Sequence, residues 1–139
     1  MQESRGNITV YRVIYGDTDK MGVVYYANYL RWFERGRSEL LRQIGMPYAD
    51  IEQRGIYFPV TEATCRYFKS ARYDDIIAIK TTVAAVSRAS LMFSYKIVRQ
   101  PDAILLASGS TKHACIDKTG RVVRLEADLA RALERVANA

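Results

Sequence analysis

No apolar run in this chain approaches the roughly 20 residues that a membrane-spanning helix requires. The opening stretch MQESRGNITV also has none of the continuous apolar core of a secretory leader. Both absences set the expectation of a cytoplasmic protein. Cysteine is scarce: 2 residues, Cys65 and Cys115, and no C-x-x-C pair. The expectation is two reduced, buried thiols, with no disulfide framework or zinc ribbon. Cys115 would share a strand face with His113, the only histidine. Residues two apart on a strand stand well separated, and no third group is in place to orient the imidazole, which disfavours a cysteine nucleophile. Acidic residues are outnumbered, with a formal net charge of +6, yet the basic residues are scattered. Recognition-helix, zinc-finger and RRM patterns are missing, so nucleic acid is not the expected partner, and a small anionic ligand suits the charge better. Internal repeats, low-complexity segments and linkers are likewise missing.

What is there suits one domain spanning 1–139, with 49% hydrophobic residues to fill a core. Residues 8–15, ITVYRVIY, are β-branched and aromatic and read as a strand. Over residues 28–44 the period turns helical, with Tyr29, Phe33, Gly36, Arg37, Leu40 and Ile44 on one stripe. Asn28 is the expected N-cap, and Gly45 and Pro47 mark the stop. A glycine inside a helix costs ~1 kcal/mol against alanine. Gly36 on the buried stripe therefore predicts a close approach to neighbouring backbone. Arg37 on the same stripe predicts either a snorkelling side chain or a contact with a partner subunit. MPYADIEQRG reads as a short helical turn. Strands follow over 57–69, 76–86, 91–99 and 104–116, separated by SARYDD, SRAS, QPDA and DKTG. The last segment carries Leu129, Leu133 and Val136 at amphipathic helical spacing. One long helix against a long antiparallel sheet makes an α+β domain, with a sheet face and an edge free for another subunit.

The stretch GDTDKMGVVYYANY, residues 16–29, is the least ordinary part of the chain. Asp17, Asp19 and Gly22 match the first, third and sixth places of a calcium loop. Met21 falls where another oxygen ligand is required, and Asn28 falls where the closing glutamate is required. A hard cation would be short of oxygens, so no metal is expected. On composition alone a plain turn and an active site both stay open, since Asp and Gly are common turn residues.

The block YGDTDKMGVVYYANYLRWFERGRSELL, flanked by a strand and followed later by ARYDD before another strand, resembles the hotdog-fold acyl-CoA thioesterases. The similar branch is that of 4-hydroxybenzoyl-CoA thioesterase and YbgC-like enzymes, and the likeness runs from about Ile8 to Val123. It implies a long central helix wrapped by an antiparallel sheet. It also implies a homodimer joined edge to edge, often associated further into a homotetramer, with active sites at the subunit interface. The implied substrate is a short-chain or aromatic acyl thioester of coenzyme A, or of acyl carrier protein, hydrolysed without metal or cofactor.

Residue by residue, the resemblance makes Asp19 the catalytic carboxylate and the backbone N–H of Tyr26 the oxyanion donor. Asp17 is expected to shape the loop. Tyr25, Asn28 and Tyr29 become substrate contacts, and Tyr25, Tyr29, Tyr57 and Phe58 favour an aromatic or short acyl group. Arg88, in SRAS, is the residue that would meet coenzyme A phosphates. Some relatives carry a histidine where Tyr26 stands. That leaves Asp19 as the main candidate for acid–base or nucleophilic work, because a tyrosine near its ordinary pKa is a poor proton acceptor. Glu34 is expected to pair with a nearby arginine. The alternatives are a hotdog dehydratase, disfavoured by a lone His113 far from the helix start, and a non-catalytic acyl-CoA-binding module.

Overall fold

The computed structural model describes residues 6–138. Strand β1 (Gly6–Arg12) leads through a single helical turn at Tyr15–Asp17 to the long helix α1 (Asn28–Gln43) and the short helix α2 (Tyr48–Gln53). Four strands follow, β2 (Val60–Tyr67), β3 (Ile76–Val86), β4 (Ser90–Gln100) and β5 (Ile104–Ala114), and α3 (Ala127–Asn138) closes the chain. The strands form one sheet in the order β1-β3-β4-β5-β2, antiparallel at every pairing.

The alternation read from the sequence becomes a two-faced sheet. On β3, Ile77, Ile79, Thr81 and Val83 point inward; on β4, Leu91, Phe93, Tyr95 and Ile97 do the same. Helix α1 lies against this inner face, over β1, β3 and β4, and buries Tyr29, Trp32, Phe33, Gly36, Leu40 and Leu41. Phe33 stacks on Tyr95 with ring centroids 4.2 Å apart. A Cβ at Gly36 would overlap the Thr81 hydroxyl and lie 2.9 Å from Ile79 Cγ2, so the close approach at this glycine is to side chains of β3 and not, as expected, to backbone. Helix α3 packs against β3 and buries Leu129 and Leu133.

Several boundaries differ from expectation. Strand β1 starts earlier and stops at Arg12, because the Val13 N–H already donates to Asp75 O at 2.8 Å outside the ladder. Strand β2 is shorter than 57–69: Tyr57 makes only an isolated bridge with Ile116. Asn28 is not the N-cap. Ala27 holds that position without a side-chain cap, and the Asn28 amide serves elsewhere.

The two edges of the sheet are β1 and β2. Every residue of β2 except Cys65 is exposed. On the outer face, Val10, Ala78, Val98 and Leu105 form one row across four strands; Val10 is 63% exposed and Leu105 37%. Among the described residues, no helix is long and apolar enough to cross a membrane.

Candidate active site

The loop between β1 and α1 is closed by Asp17. Its Oδ2 accepts hydrogen bonds from the Tyr11 hydroxyl at 2.7 Å and the Ile14 N–H at 3.0 Å. Its carbonyl accepts from the Tyr25 N–H at 2.9 Å and the Asn28 Nδ2 at 2.9 Å. This one residue therefore ties the end of β1 to the beginning of α1. Burial, and then the hydrogen bond to Asp17, push the Tyr11 phenol above its ordinary pKa and keep it a donor. A second tether is the Val24 N–H, which donates to Ala71 O at 2.9 Å.

Asp19 sits at the tip, half-buried. Its N–H donates to Val23 O at 2.9 Å, and its carbonyl accepts from the Gly22 N–H at 3.1 Å. Gly22 has φ +83°, which a side chain would resist. The Met21 N–H donates to Asp19 Oδ1 at 2.9 Å. No described residue donates to Oδ2. The two aspartates differ in degree: Asp17 takes two bonds on Oδ2 and two more on its carbonyl, whereas the Asp19 carboxylate takes a single bond, at Oδ1.

At the helix start, the Asn28 N–H donates to Tyr25 O at 2.9 Å and the Tyr29 N–H to Tyr26 O at 3.3 Å. The N–H groups of Tyr26 and Ala27 donate to no described group. Unpaired N–H groups at a helix N-terminus carry partial positive charge and suit a developing anion. The Tyr25–Tyr26 peptide is fixed through its carbonyl, so the Tyr26 N–H has a set direction. The next peptide is held from β2, where the Tyr67 hydroxyl donates to Tyr26 O at 2.9 Å. Burial, followed by the neighbouring Cys65, raises the Tyr67 pKa far above its ordinary value, so it stays protonated.

The other site residues separate. Tyr25 and Tyr26 are exposed, with rings 4.8 Å apart. Asn28 spends its amide on Asp17. Tyr29 is 2% exposed, and its hydroxyl accepts the Ala71 N–H at 3.0 Å; it is a core residue and not a surface contact. Arg88 lies in the β3–β4 turn, whereas the loop lies at the Ile76 end of β3. An 11-residue strand separates them, about 33 Å at the usual rise. One chain does not bring Arg88 to Asp19. Glu34 has no ion pair within 4 Å among the described residues, against the expectation of an arginine partner.

The sequence reading missed a buried polar chain beneath α1. The His113 Nδ1 lies 3.0 Å from Phe58 O, and a carbonyl can only accept, so this nitrogen carries the proton. Nε2 then accepts from the Thr111 hydroxyl at 2.8 Å, Thr111 accepts from the Tyr95 hydroxyl at 2.6 Å, and Arg37 donates to Tyr95 at 3.4 Å. Both ring nitrogens are used, so His113 forms no pair with Cys115. Desolvation lowers the His113 pKa, and the charge of Arg37 adds to it against the Phe58 bond.

The family model described as thioesterase-like superfamily matches residues 13–133. The chain belongs to that superfamily. It is a thioester hydrolase, and its architecture is the hotdog fold. An acyl-CoA thioesterase named YbgC from Haemophilus influenzae is 36% identical over 107 residues, covering 76% of this chain and 77% of that protein. A 1,4-dihydroxy-2-naphthoyl-CoA hydrolase from Microcystis aeruginosa is 33% identical over 112 residues, covering 79% and 80%. The crystal structure of a DHNA-CoA thioesterase from Staphylococcus aureus superposes with a TM-score of 0.89 at 36% identity, covering 94% of this thioesterase and 90% of that one.

Proposed function

We propose that the β1–α1 loop hydrolyses an acyl- or aroyl-coenzyme A, with Asp19 as the catalytic carboxylate and the Tyr26 N–H as the oxyanion donor. The observation that carries this reading is the pairing, in one loop, of the Asp19 carboxylate, held by a single backbone bond, with a helix-start N–H that donates to no described group, while Asp17 takes two side-chain bonds that tie the loop to β1. Asp19 supplies the negative oxygen at the thioester carbon, directly or through a water it deprotonates. Either route places charge on the carbonyl oxygen, where one preorganised donor is worth ~3 kcal/mol. The carbon–sulfur bond then breaks. One water is consumed, and a free acid and the thiol of coenzyme A are released. No step of this chemistry calls for a metal or a cofactor.

Relatives that act on acyl-CoA and on 1,4-dihydroxy-2-naphthoyl-CoA support this substrate class. A panel of aliphatic and aromatic acyl-CoAs, followed by thiol release, tests it. Turnover of at least one CoA thioester is expected, and tight binding with no thiol release by any of them overturns the reading in favour of a binding module.

The proposed assembly is a homodimer across β2, an eight-residue edge strand exposed on both faces. An unpaired edge presents free N–H and C=O groups to a second copy. The distance between Arg88 and the loop adds to this, because only a second subunit can place an arginine of that turn beside the loop. The apolar row on the outer face is the proposed contact between two dimers. Light scattering at micromolar concentration should give a dimer or tetramer; a monodisperse monomer refutes the assembly. Two free thiols, Cys65 and Cys115, suit a reducing compartment, and the cytoplasm is the proposed one.

A further inference from the structure

The turn that carries Asp19 is a small antiparallel hairpin. Thr18 bridges Val24, the Asp19 N–H donates to Val23 O at 2.9 Å, and the Gly22 N–H closes the tip on Asp19 O at 3.1 Å. The base is shut where the Tyr25 N–H donates to Asp17 O at 2.9 Å. Asp19 stands on the incoming limb, and the Tyr26 N–H follows the outgoing one. The proposed chemistry needs both groups at one thioester carbonyl, so whatever fixes the base of the hairpin fixes their separation.

Asn28 grips both limbs at that base. Its Nδ2 donates to Asp17 O on the incoming side at 2.9 Å. Its main-chain N–H donates to Tyr25 O on the outgoing side at 2.9 Å. Tyr25 O belongs to the same planar peptide unit as the Tyr26 N–H. The main-chain bond therefore sets the plane of the oxyanion donor, and the side-chain bond ties that plane to the chain two residues before Asp19.

A local rule is broken to achieve this. Asparagine is among the best residues for a helix N-cap. Here it stands one place past the cap, and Ala27 holds the cap position with no side-chain bond. The half-buried Asn28 amide turns instead to a carbonyl 11 residues earlier. Departures of this kind concentrate where function requires them.

We propose that Asn28 is a positioning residue that holds the Tyr26 N–H at its working distance from the Asp19 carboxylate. This rests on the reading that those two are the reacting groups. Asn28 touches no substrate in this role and acts through two carbonyls. The sequence-based expectation made it a substrate contact, and the two roles part kinetically. A lost contact weakens binding, whereas a lost clamp leaves binding in place and misaligns the reaction.

Asn28→Ala removes the side-chain bond and leaves the main-chain bond. A misplacement of about 1 Å can cost on the order of a hundredfold in rate. For a CoA thioester kcat should fall about tenfold to a hundredfold, with KM within about threefold of the parent. Rates are referred to the folded fraction, measured by circular dichroism. Asn28→Asp is the second variant. Its carboxylate has no donor for Asp17 O, but its protonated form has one, so lowering the pH restores the bond and separates a lost clamp from a lost fold. Its kcat, as a ratio to that of the parent at each pH, should rise as pH is lowered from about 8 to about 5. A raised KM with unchanged kcat makes Asn28 a substrate contact and overturns the positioning role. Unchanged kcat in both variants overturns it too, as does a ratio that stays flat with pH. Asp19→Asn is assayed alongside. If that variant is silent, the clamp alone has failed; if it turns over normally, the assignment of the reacting groups falls and the clamp falls with it.

Discussion

Replacing each aspartate of the D-T-D motif by asparagine should separate folding from catalysis. Asp17 Oδ2 takes two hydrogen bonds, from Tyr11 and Ile14. An asparagine can keep both as neutral acceptor contacts, but loses the charge that roughly doubles their strength. With bonds to charged groups worth about 1.5–3 kcal/mol each, Asp17→Asn should cost about 1–3 kcal/mol. For a domain of this size that is a fall in Tm of about 4–12 °C. Asp19→Asn keeps the Met21 N–H bond at Oδ1 and alters an oxygen that has no partner among the described residues. Its Tm should move by no more than about 2 °C, the scale of a surface substitution. Its kcat should fall by on the order of 10² or more, the contribution of a positioned acid–base group. Thermal melts by circular dichroism and thiol release from a CoA thioester measure the two effects on the same preparations. If Asp19→Asn turns over normally while Asp17→Asn retains its Tm and loses activity, the wrong carboxylate has been chosen.

Three further perturbations probe the surroundings of the loop. Tyr67→Phe removes the bond to Tyr26 O, worth about 1 kcal/mol; kcat should fall about fivefold with KM little changed, and an unaltered kcat refutes the positioning role. Gly36→Ala drives a methyl into the Thr81 hydroxyl and toward Ile79; denaturant unfolding should show a loss of about 1–3 kcal/mol, the range for overpacking, and a neutral or stabilising result contradicts the contact. His113 has a folded-state pKa below its unfolded value, so its contribution to stability should be complete above about pH 6.5 and lost as pH falls below it. His113→Gln should flatten that part of the stability profile, and an unchanged pH dependence removes His113 as its source.

Helix α1 is legible because five apolar or small residues and Arg37 share one stripe, and its ends agree to within one residue. The strands were legible from β-branched runs between turn residues. Boundaries failed where a side chain answered a distant group instead of its neighbours. Asn28 has the chemistry of a cap, yet its amide closes onto Asp17 O, 11 residues earlier. Glu34 shares its helix face with Arg31 and Arg37, yet it is exposed and forms no ion pair among the described residues, so spacing alone does not decide the pairing. The roles of Tyr67 and of the chain from Arg37 to His113 depend on contacts 41 and 58 residues apart, and no local pattern announces them. The distinction between Asp17 and Asp19 came from the resemblance. The bonds that now separate the two carboxylates belong to the fold.

The sheet order also has a consequence in time. Strands β3, β4 and β5 join through short turns, as in the pair Val86 with Leu91, and can zip locally. Strand β1 must instead find β3 from far away, Arg12 against Ile76, and β2 must find β5 across Val60 and His113. Distant pairings form slowly because a large loop must close first. The Asp17–Asn28 loop hangs from the end of β1, and its Tyr26 peptide from the end of β2. The reacting groups therefore come together after the central meander has formed. In native-state hydrogen exchange the same order should run backwards, with amides of β1 and β2 opening before those of β4. Mild denaturant would then silence hydrolysis while most of the sheet is still standing.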